Sequence, residues 1–335
     1  MPDRKYPKRP PKPETYHAVT ADGWRIALHR YRRRGPRLPV LLVHGLASNR
    51  HNFDFPQTGI SFAKYLWERG WDTWVVELRG AGHSSRPKGW EWIKKSWQVD
   101  HYILQDLPAA VRFILEKAGK KRLHWVGHSL GGLLVAPFIN THKSEWLQSA
   151  VLAASPVTGI PKYLHKWTYM AEPLLKLLPL VPYKTMAKLF SLQPEWIFRG
   201  PVPRLFVSGN MDLRTLKLGS EVAVDDLSSR VILQFQDWMR SKTYHSEDKK
   251  IRYHADFKKI RLPVLLIAGS HDPFTTVEEM KKTLQRLPSR KKSMIVFGKE
   301  YGHTADYSHW DLILGRHAPR EVYPAIEGWI SKHDR

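Results

Sequence analysis

Apolar and polar positions along this chain fall into two alternating rhythms. Val40-Leu41-Leu42-Val43, Trp71 to Leu78, Arg122 to Val126, Trp146 to Ala154 and Leu262 to Gly269 are short, largely apolar runs, the pattern of strands buried on both faces. Between them, Ser61 to Arg69, Asp100 to Lys117 and Leu130 to Thr141 repeat apolar positions at helical spacing, and Gly70 supplies a stop for the first. Pro108 is expected either to kink the second helix or to mark its true start. Ahead of these runs, Thr15 to Thr20 and Trp24 to Tyr31 flank Ala21-Asp22-Gly23, which has the turn chemistry of a hairpin. Asn52 to Gly59 reads as loop. The succession of strand and helix up to Ala154 predicts an α/β fold with a right-handed, mostly parallel sheet flanked by helices.

The rhythm stops at Ser155 and resumes at Leu262. Residues 155–261 instead carry scattered prolines, among them Pro173, Pro179, Pro182 and Pro194, and amphipathic pieces such as Leu174 to Leu178. A helical insertion between two halves of one sheet is expected there, placed as a cap or lid over a cleft. The core then comprises residues 14–154 and 262–335. In its second part Val277 to Leu287 reads as helix, Ser293 to Phe297 as a last strand, Tyr301 to Leu312 as a His-rich loop and Arg320 to Lys332 as a closing helix. Residues 1–13 are rich in Pro, Lys and Arg and are expected to form an extended or disordered arm. No internal repeat is visible.

Composition narrows the chemistry. The absence of cysteine excludes disulfides, thiolate metal sites and a cysteine nucleophile. No run approaches the roughly 20 apolar residues of a membrane-spanning helix, and no apolar segment follows the basic N-terminal residues, so a cytoplasmic, soluble protein is expected. Lys and Arg outnumber Asp and Glu by 54 to 31, a net charge of +23, which favours contact with anionic surfaces. The charges are dispersed and no zinc-finger, RRM or KH pattern occurs. The reading adopted is a solvated basic surface able to touch an anionic one, with no specific nucleic-acid partner.

The chemistry centres on Gly127-His128-Ser129-Leu130-Gly131, lying between a strand and a helix. Gly-x-Ser-x-Gly in that setting is a nucleophile elbow, a turn so tight that only small neighbours fit and the serine hydroxyl is lifted into the open. A serine hydroxyl is a poor nucleophile until a histidine takes its proton and a carboxylate orients that histidine. Such groups gather beyond the carboxyl ends of strands in α/β sheets. Asp272 lies three residues past Gly269, and His303 and His309 lie past the last strand. Ser129, Asp272 and His309 are the chosen set, with His303 as alternative base and Glu77 as alternative acid. Asp306 and Asp311 read as loop hydrogen-bonding groups. His44 reads as loop-shaping and His128 as packing beside the elbow. Neither pairs with a second histidine at metal-ligand spacing, so no metal is expected, and no cofactor.

His44-Gly45, Arg79-Gly80-x-Gly82-x-Ser84, Gly127-His128-Ser129-Leu130-Gly131-Gly132, Gly269-x-x-Asp272 and the terminal His loop together resemble the α/β-hydrolase superfamily, from about Thr15 onward. Ser308-His309-Trp310-Asp311 and the later Ala318-Pro319 resemble acid-lipase-like and polyhydroxyalkanoate-synthase-related hydrolases. Such synthases carry cysteine at the elbow, so Ser129 favours hydrolysis. The resemblance implies an oxyanion hole from the backbone N–H groups of Leu46 and Leu130. It implies a serine esterase or lipase acting on small-molecule carboxylic esters, lipophilic ones best suiting an apolar cap with Trp167, Tyr169, Trp196 and Phe198. An acyltransferase on the same triad and a noncatalytic binder of an anionic partner are the alternatives. Dehalogenase and epoxide-hydrolase chemistry would want aspartate where Ser129 stands.

Overall fold

Eight strands build one sheet: β1 (Glu14–Val19), β2 (Arg25–Tyr31), β3 (Val40–Val43), β4 (Thr73–Glu77), β5 (Leu123–His128), β6 (Leu147–Ala153), β7 (Val264–Gly269) and β8 (Lys292–Phe297). They stand in the order β1-β2-β4-β3-β5-β6-β7-β8. β2 runs antiparallel to both β1 and β4, and every other neighbouring pair is parallel. The computed structural model describes residues 12–94, 96–155, 162–200, 209–253 and 259–334, so the expected arm falls almost entirely outside the described residues.

The alternation of side chains explains why the central strands are apolar throughout. Leu41, Val43, Trp74, Val76 and Trp125 enter one core, while Val40, Leu42, Val75, Val126 and Val151 enter the core on the opposite face. Both faces are therefore covered, the condition that parallel strands require. The helices covering them include α1 (Phe62–Glu68), α2 (Leu107–Ala118), α3 (Leu130–Leu133) and α4 (Val135–Thr141).

Two local expectations are refined. Pro108 sits in the first turn of α2, directly after a π-helical turn at Tyr102–Asp106 that is itself fed from Val99–His101. The chain is thus helical from Val99 to Ala118, and the proline both starts a new helix and follows a widened one. The stretch read as loop after Asn52 contains a tiny antiparallel ribbon, Asp54–Phe55 against Ile60–Ser61, closed at Gly59 with φ 76°.

Among the described residues between β6 and β7 lie four α-helices: α5 (Lys162–Leu177), α6 (Tyr183–Ser191), α7 (Leu213–Val222) and α8 (Ser229–Ser241). α5 packs on α8 and α6 on α7, and Leu180–Val181 pairs with Leu227–Ser228. No helix among the described residues is long and apolar enough to cross a membrane. After β7 come α9 (Val277–Arg286) and α10 (Ala318–Lys332). α9 opens on a capping box in which Thr276 and Glu279 satisfy each other's backbone N–H groups.

Candidate active site

β5 ends at His128 and α3 begins at Leu130, leaving Ser129 alone to turn the chain. It does so at φ 54° and ψ −121°, a left-handed backbone that side-chain-bearing residues rarely adopt. Glycine surrounds it because there is no room for more. A Cβ on Gly127 would lie 2.3 Å from the Gly131 backbone, and one on Gly131 would lie 2.0 Å from the Val43 carbonyl oxygen. Val43 belongs to a central strand and cannot give way. Gly131→Ala is therefore expected to lower stability by about 3 kcal/mol or more. Gly328→Ala, in α10 with open space around it, should gain about 0.5–1 kcal/mol. Urea midpoints of the two variants check this, and equal midpoints would refute the steric account.

His309 Nε2 lies 2.9 Å from Ser129 Oγ, and His309 Nδ1 lies 2.8 Å from Asp272 Oδ2. Donation from Nδ1–H to the carboxylate leaves Nε2 free to accept the serine proton. Asp272 stands on the turn after β7, where its Oδ1 accepts the N–H groups of Phe274 at 2.8 Å and Thr275 at 3.1 Å. The Thr275 hydroxyl donates to Oδ2. Burial pushes the Asp272 carboxyl upward, but the neighbouring His309 charge and these hydrogen bonds outweigh it and hold the group below its ordinary value.

The histidine is held from behind as well. His128 donates from Nε2 to the His309 carbonyl oxygen at 2.9 Å, so it does more than pack beside the elbow. Burial, reinforced by the neighbouring His309 charge, pushes His128 down to about 3, and it stays neutral through the ordinary pH range. Its sequence separation from His309 hid this contact. The Asp272 cradle had a local signal, since Asp-Pro-Phe-Thr is a side-chain-to-backbone turn sequence.

The loop after β3 completes the surroundings. A Cβ on Gly45 would lie 3.2 Å from the Ser129 Cβ, so the His44-Gly45-Leu46 turn abuts Ser129, with Leu130 next to it at the start of α3. His44 donates from Nδ1 to the Gly45 carbonyl at 2.8 Å and accepts the Leu78 N–H at Nε2, 3.1 Å away. It shapes the loop, as its position suggested.

The alternative candidates stand elsewhere. His303 Nδ1 contacts the Gly298 carbonyl at 3.3 Å, and its ring lies tilted against Phe297 with centroids 4.6 Å apart. Asp306 accepts from Ser270 and the Lys299 N–H, and Asp311 from the Ser308 N–H. Glu77 is buried beneath the Gly80–Ser84 turn and accepts from His29 Nε2 at 2.9 Å and from the backbone N–H groups of His83 and Arg50. Burial raises it, but His29 and those N–H groups prevail and hold it at about 2. His29, Glu77 and His83 bring three ligand-type atoms within 4.8 Å of one another. The Glu77 Oε2 atom among them already accepts the His83 backbone N–H at 2.7 Å.

The aromatic residues expected to line a pocket divide. Trp196 points outward at 72% exposure, Phe198 is buried against Phe190, and Tyr169 lies under the Arg240 guanidinium. The Trp167 side chain lies outside the described residues. Instead, a small apolar cavity beside the elbow is lined by Leu130, Leu133, Leu134, Pro137, Trp238 and Tyr244. The α8 periodicity carried Trp238, but nothing local aimed it at the elbow.

The sequence matches the alpha/beta hydrolase fold family over residues 39–315. Lipase member K of Mus musculus is 25% identical over 92% of this chain and 85% of its own, and gastric triacylglycerol lipase of Homo sapiens is 24% identical over 95% and 88%. Among solved structures, a soluble variant of monoglyceride lipase from Saccharomyces cerevisiae, in complex with a substrate analog, superposes with a TM-score of 0.69 at 18% identity, covering 99% of both chains. The monoacylglycerol lipase of Paleococcus ferrophilus gives 0.61 at 20% identity, over 91% of this chain and 99% of its own. With the sheet order, the elbow and this match over most of its length, the chain belongs to the α/β-hydrolase family.

Proposed function

We propose that the protein is a serine esterase that hydrolyses lipophilic carboxylic esters through an acyl-enzyme on Ser129. The observation carrying this reading is the unbroken relay from Ser129 Oγ through His309 to Asp272, at 2.9 and 2.8 Å. Ser129 Oγ attacks the ester carbonyl as His309 Nε2 takes its proton, and Asp272 stabilises the imidazolium that forms. The backbone N–H groups of Leu130 and Leu46 receive the oxyanion. His309 then returns the proton to the leaving alcohol, and water repeats the sequence to release the acid. The lipase names of the relatives agree with this assignment.

The lipophilic preference rests on the apolar cavity beside Leu130 and on the surface of the inserted helices. Leu174, Leu177, Met186, Leu189 and Leu192 are exposed on and just after α5 and α6, interspersed with Lys176 and Lys184. That exposed apolar surface suits contact with a lipid surface from which such esters come.

Two measurements test the reading. A p-nitrophenyl alkylphosphonate should add its phosphonyl group to the Ser129 peptide, read by mass spectrometry, at a rate that depends on His309. With p-nitrophenyl esters, kcat/KM should rise about fourfold for each methylene from acetate to butyrate, since burying one contributes roughly 0.8 kcal/mol. A flat profile would remove the lipophilic preference, and labelling at another residue would remove the nucleophile.

A further inference from the structure

Residues 222–225 of the inserted segment are bonded to the loop expected to supply an oxyanion donor. Ser48 forms an antiparallel bridge with Val224, and its hydroxyl donates to the Ala223 carbonyl at 3.1 Å. The Asp225 N–H donates to the Ala47 carbonyl at 2.9 Å, and Asn49 Nδ2 donates to the Val222 carbonyl at 2.8 Å. Ala47, next to the donor residue Leu46, holds a left-handed φ of 51°. A strained residue of this kind persists only where its surroundings over-determine it. Here the surroundings are largely the insertion.

The Asp225 carboxylate is the centre of this junction. It is 1% exposed, and its Oδ2 accepts Asn49 Nδ2 and the Gly82 N–H, each at 2.8 Å. Its Oδ1 faces Lys184 Nζ at 3.4 Å and Arg86 at 3.7 Å. One buried carboxylate thus joins the loop after β3, the Gly-rich turn after β4 and the start of α6. It touches neither Ser129 nor His309. The cavity between these elements is lined by Gly45, Ala47, Ser48, Leu130 and Asp225, so the junction reaches the residues on either side of Leu46 and the first residue of α3.

We infer that Asp225 is a positioning residue for the oxyanion hole: it fixes the Leu46 N–H in place by clamping the loop that carries it to the inserted helices. Seating of the insertion and assembly of the hole are then one event. The inference rests on the serine-esterase reading, and its test separates the two.

Asp225→Ala removes the acceptor, leaving the Gly82 N–H unpaired and Asn49 Nδ2 with the Val222 carbonyl as its partner. Asp225→Asn keeps one oxygen that can accept both donors, and turns its amide toward the two exposed cations. The expected result with p-nitrophenyl butyrate is a kcat loss of roughly 30- to 100-fold in Asp225→Ala with KM changed less than threefold, approaching the effect of losing one oxyanion donor. Asp225→Asn should recover kcat to within about fivefold of the parent. A second readout isolates the hole itself. Sulfur accepts hydrogen bonds poorly, so an intact hole prefers an oxoester to the matching thionoester, and Asp225→Ala should shrink that preference about tenfold.

If Asp225 merely supports the fold, the folded variant keeps both kcat and the oxo-to-thiono preference while its melting temperature falls, and the inference is overturned. Failure of both variants to fold would leave Asn49→Ala and Ser48→Ala to carry the test, each removing one strand of the clamp; unchanged kcat and preference in both would overturn it as well. Absence of Ser129-dependent turnover in the unaltered protein defeats the esterase reading, not the clamp alone.

Discussion

Ser129→Ala is expected to lose about 10⁵- to 10⁶-fold in kcat on p-nitrophenyl butyrate, because removing the nucleophile leaves only what binding and oxyanion stabilisation provide. His309→Ala should fall by a similar factor, and the double variant hardly further, since the pair acts as one unit. Asp272→Asn should lose about 10⁴-fold, as the amide presents the wrong partner to His309 Nδ1–H and favours the wrong tautomer. His303→Ala is expected to stay within about threefold, its ring being engaged with Gly298 and Phe297. Circular dichroism of each variant keeps a folding defect from passing as a chemical one. Should folded His303→Ala lose activity while His309→Ala keeps it, the assignment of the base is wrong.

The second large effect is on stability at acid pH. His128 is held at about 3 against an ordinary 6.5, so between those values the unfolded chain binds a proton that the folded one does not. Its contribution is complete above pH 6.5 and is lost as pH falls toward 3, roughly 5 kcal/mol in all. Glu77, held at about 2 against 4.5, contributes above pH 4.5 and loses roughly 3 kcal/mol as pH falls to 2. Urea midpoints should drop steeply from pH 6.5 downward. In His128→Gln, whose amide can still donate to the His309 carbonyl, the midpoint should be lower at pH 7 and the slope between pH 6.5 and 3 much shallower. An unchanged slope would mean that His128 is not the group responsible.

What could be read from the sequence was what is local. Continuous apolar runs placed β3, β4 and β7, the Gly-x-Ser-x-Gly spacing placed the elbow, and Asp272 followed from its distance to the end of a strand. Contacts between distant residues were not legible. His128 holding the His309 carbonyl, Asp225 clamping the loop after β3, and Arg79 buried between Asp22 and Asp106 each join segments that no periodicity connects. Trp196 shows the converse, since an aromatic residue in an amphipathic stretch does not reveal which side it faces until its neighbours are placed. Pro108 suggests either a kink or a start, and it stands in the first turn of α2, but nothing in the local sequence signals the π-helical turn before it.

The position of the insertion between β6 and β7 also bears on how the protein is made. Ser129 and both loops beside it precede the insertion, whereas Asp272 and His309 follow it. As the polypeptide leaves the ribosome, the nucleophile is synthesised long before the groups that activate it, and β7 joins β6 only after residues 154–263 have been threaded past. A nascent or truncated chain therefore carries an inert serine. Closing so long an excursion costs only slightly more than closing a short one, because the entropy grows with the logarithm of its length. On the proposed triad, hydrolysis requires both halves of the sheet to be in place.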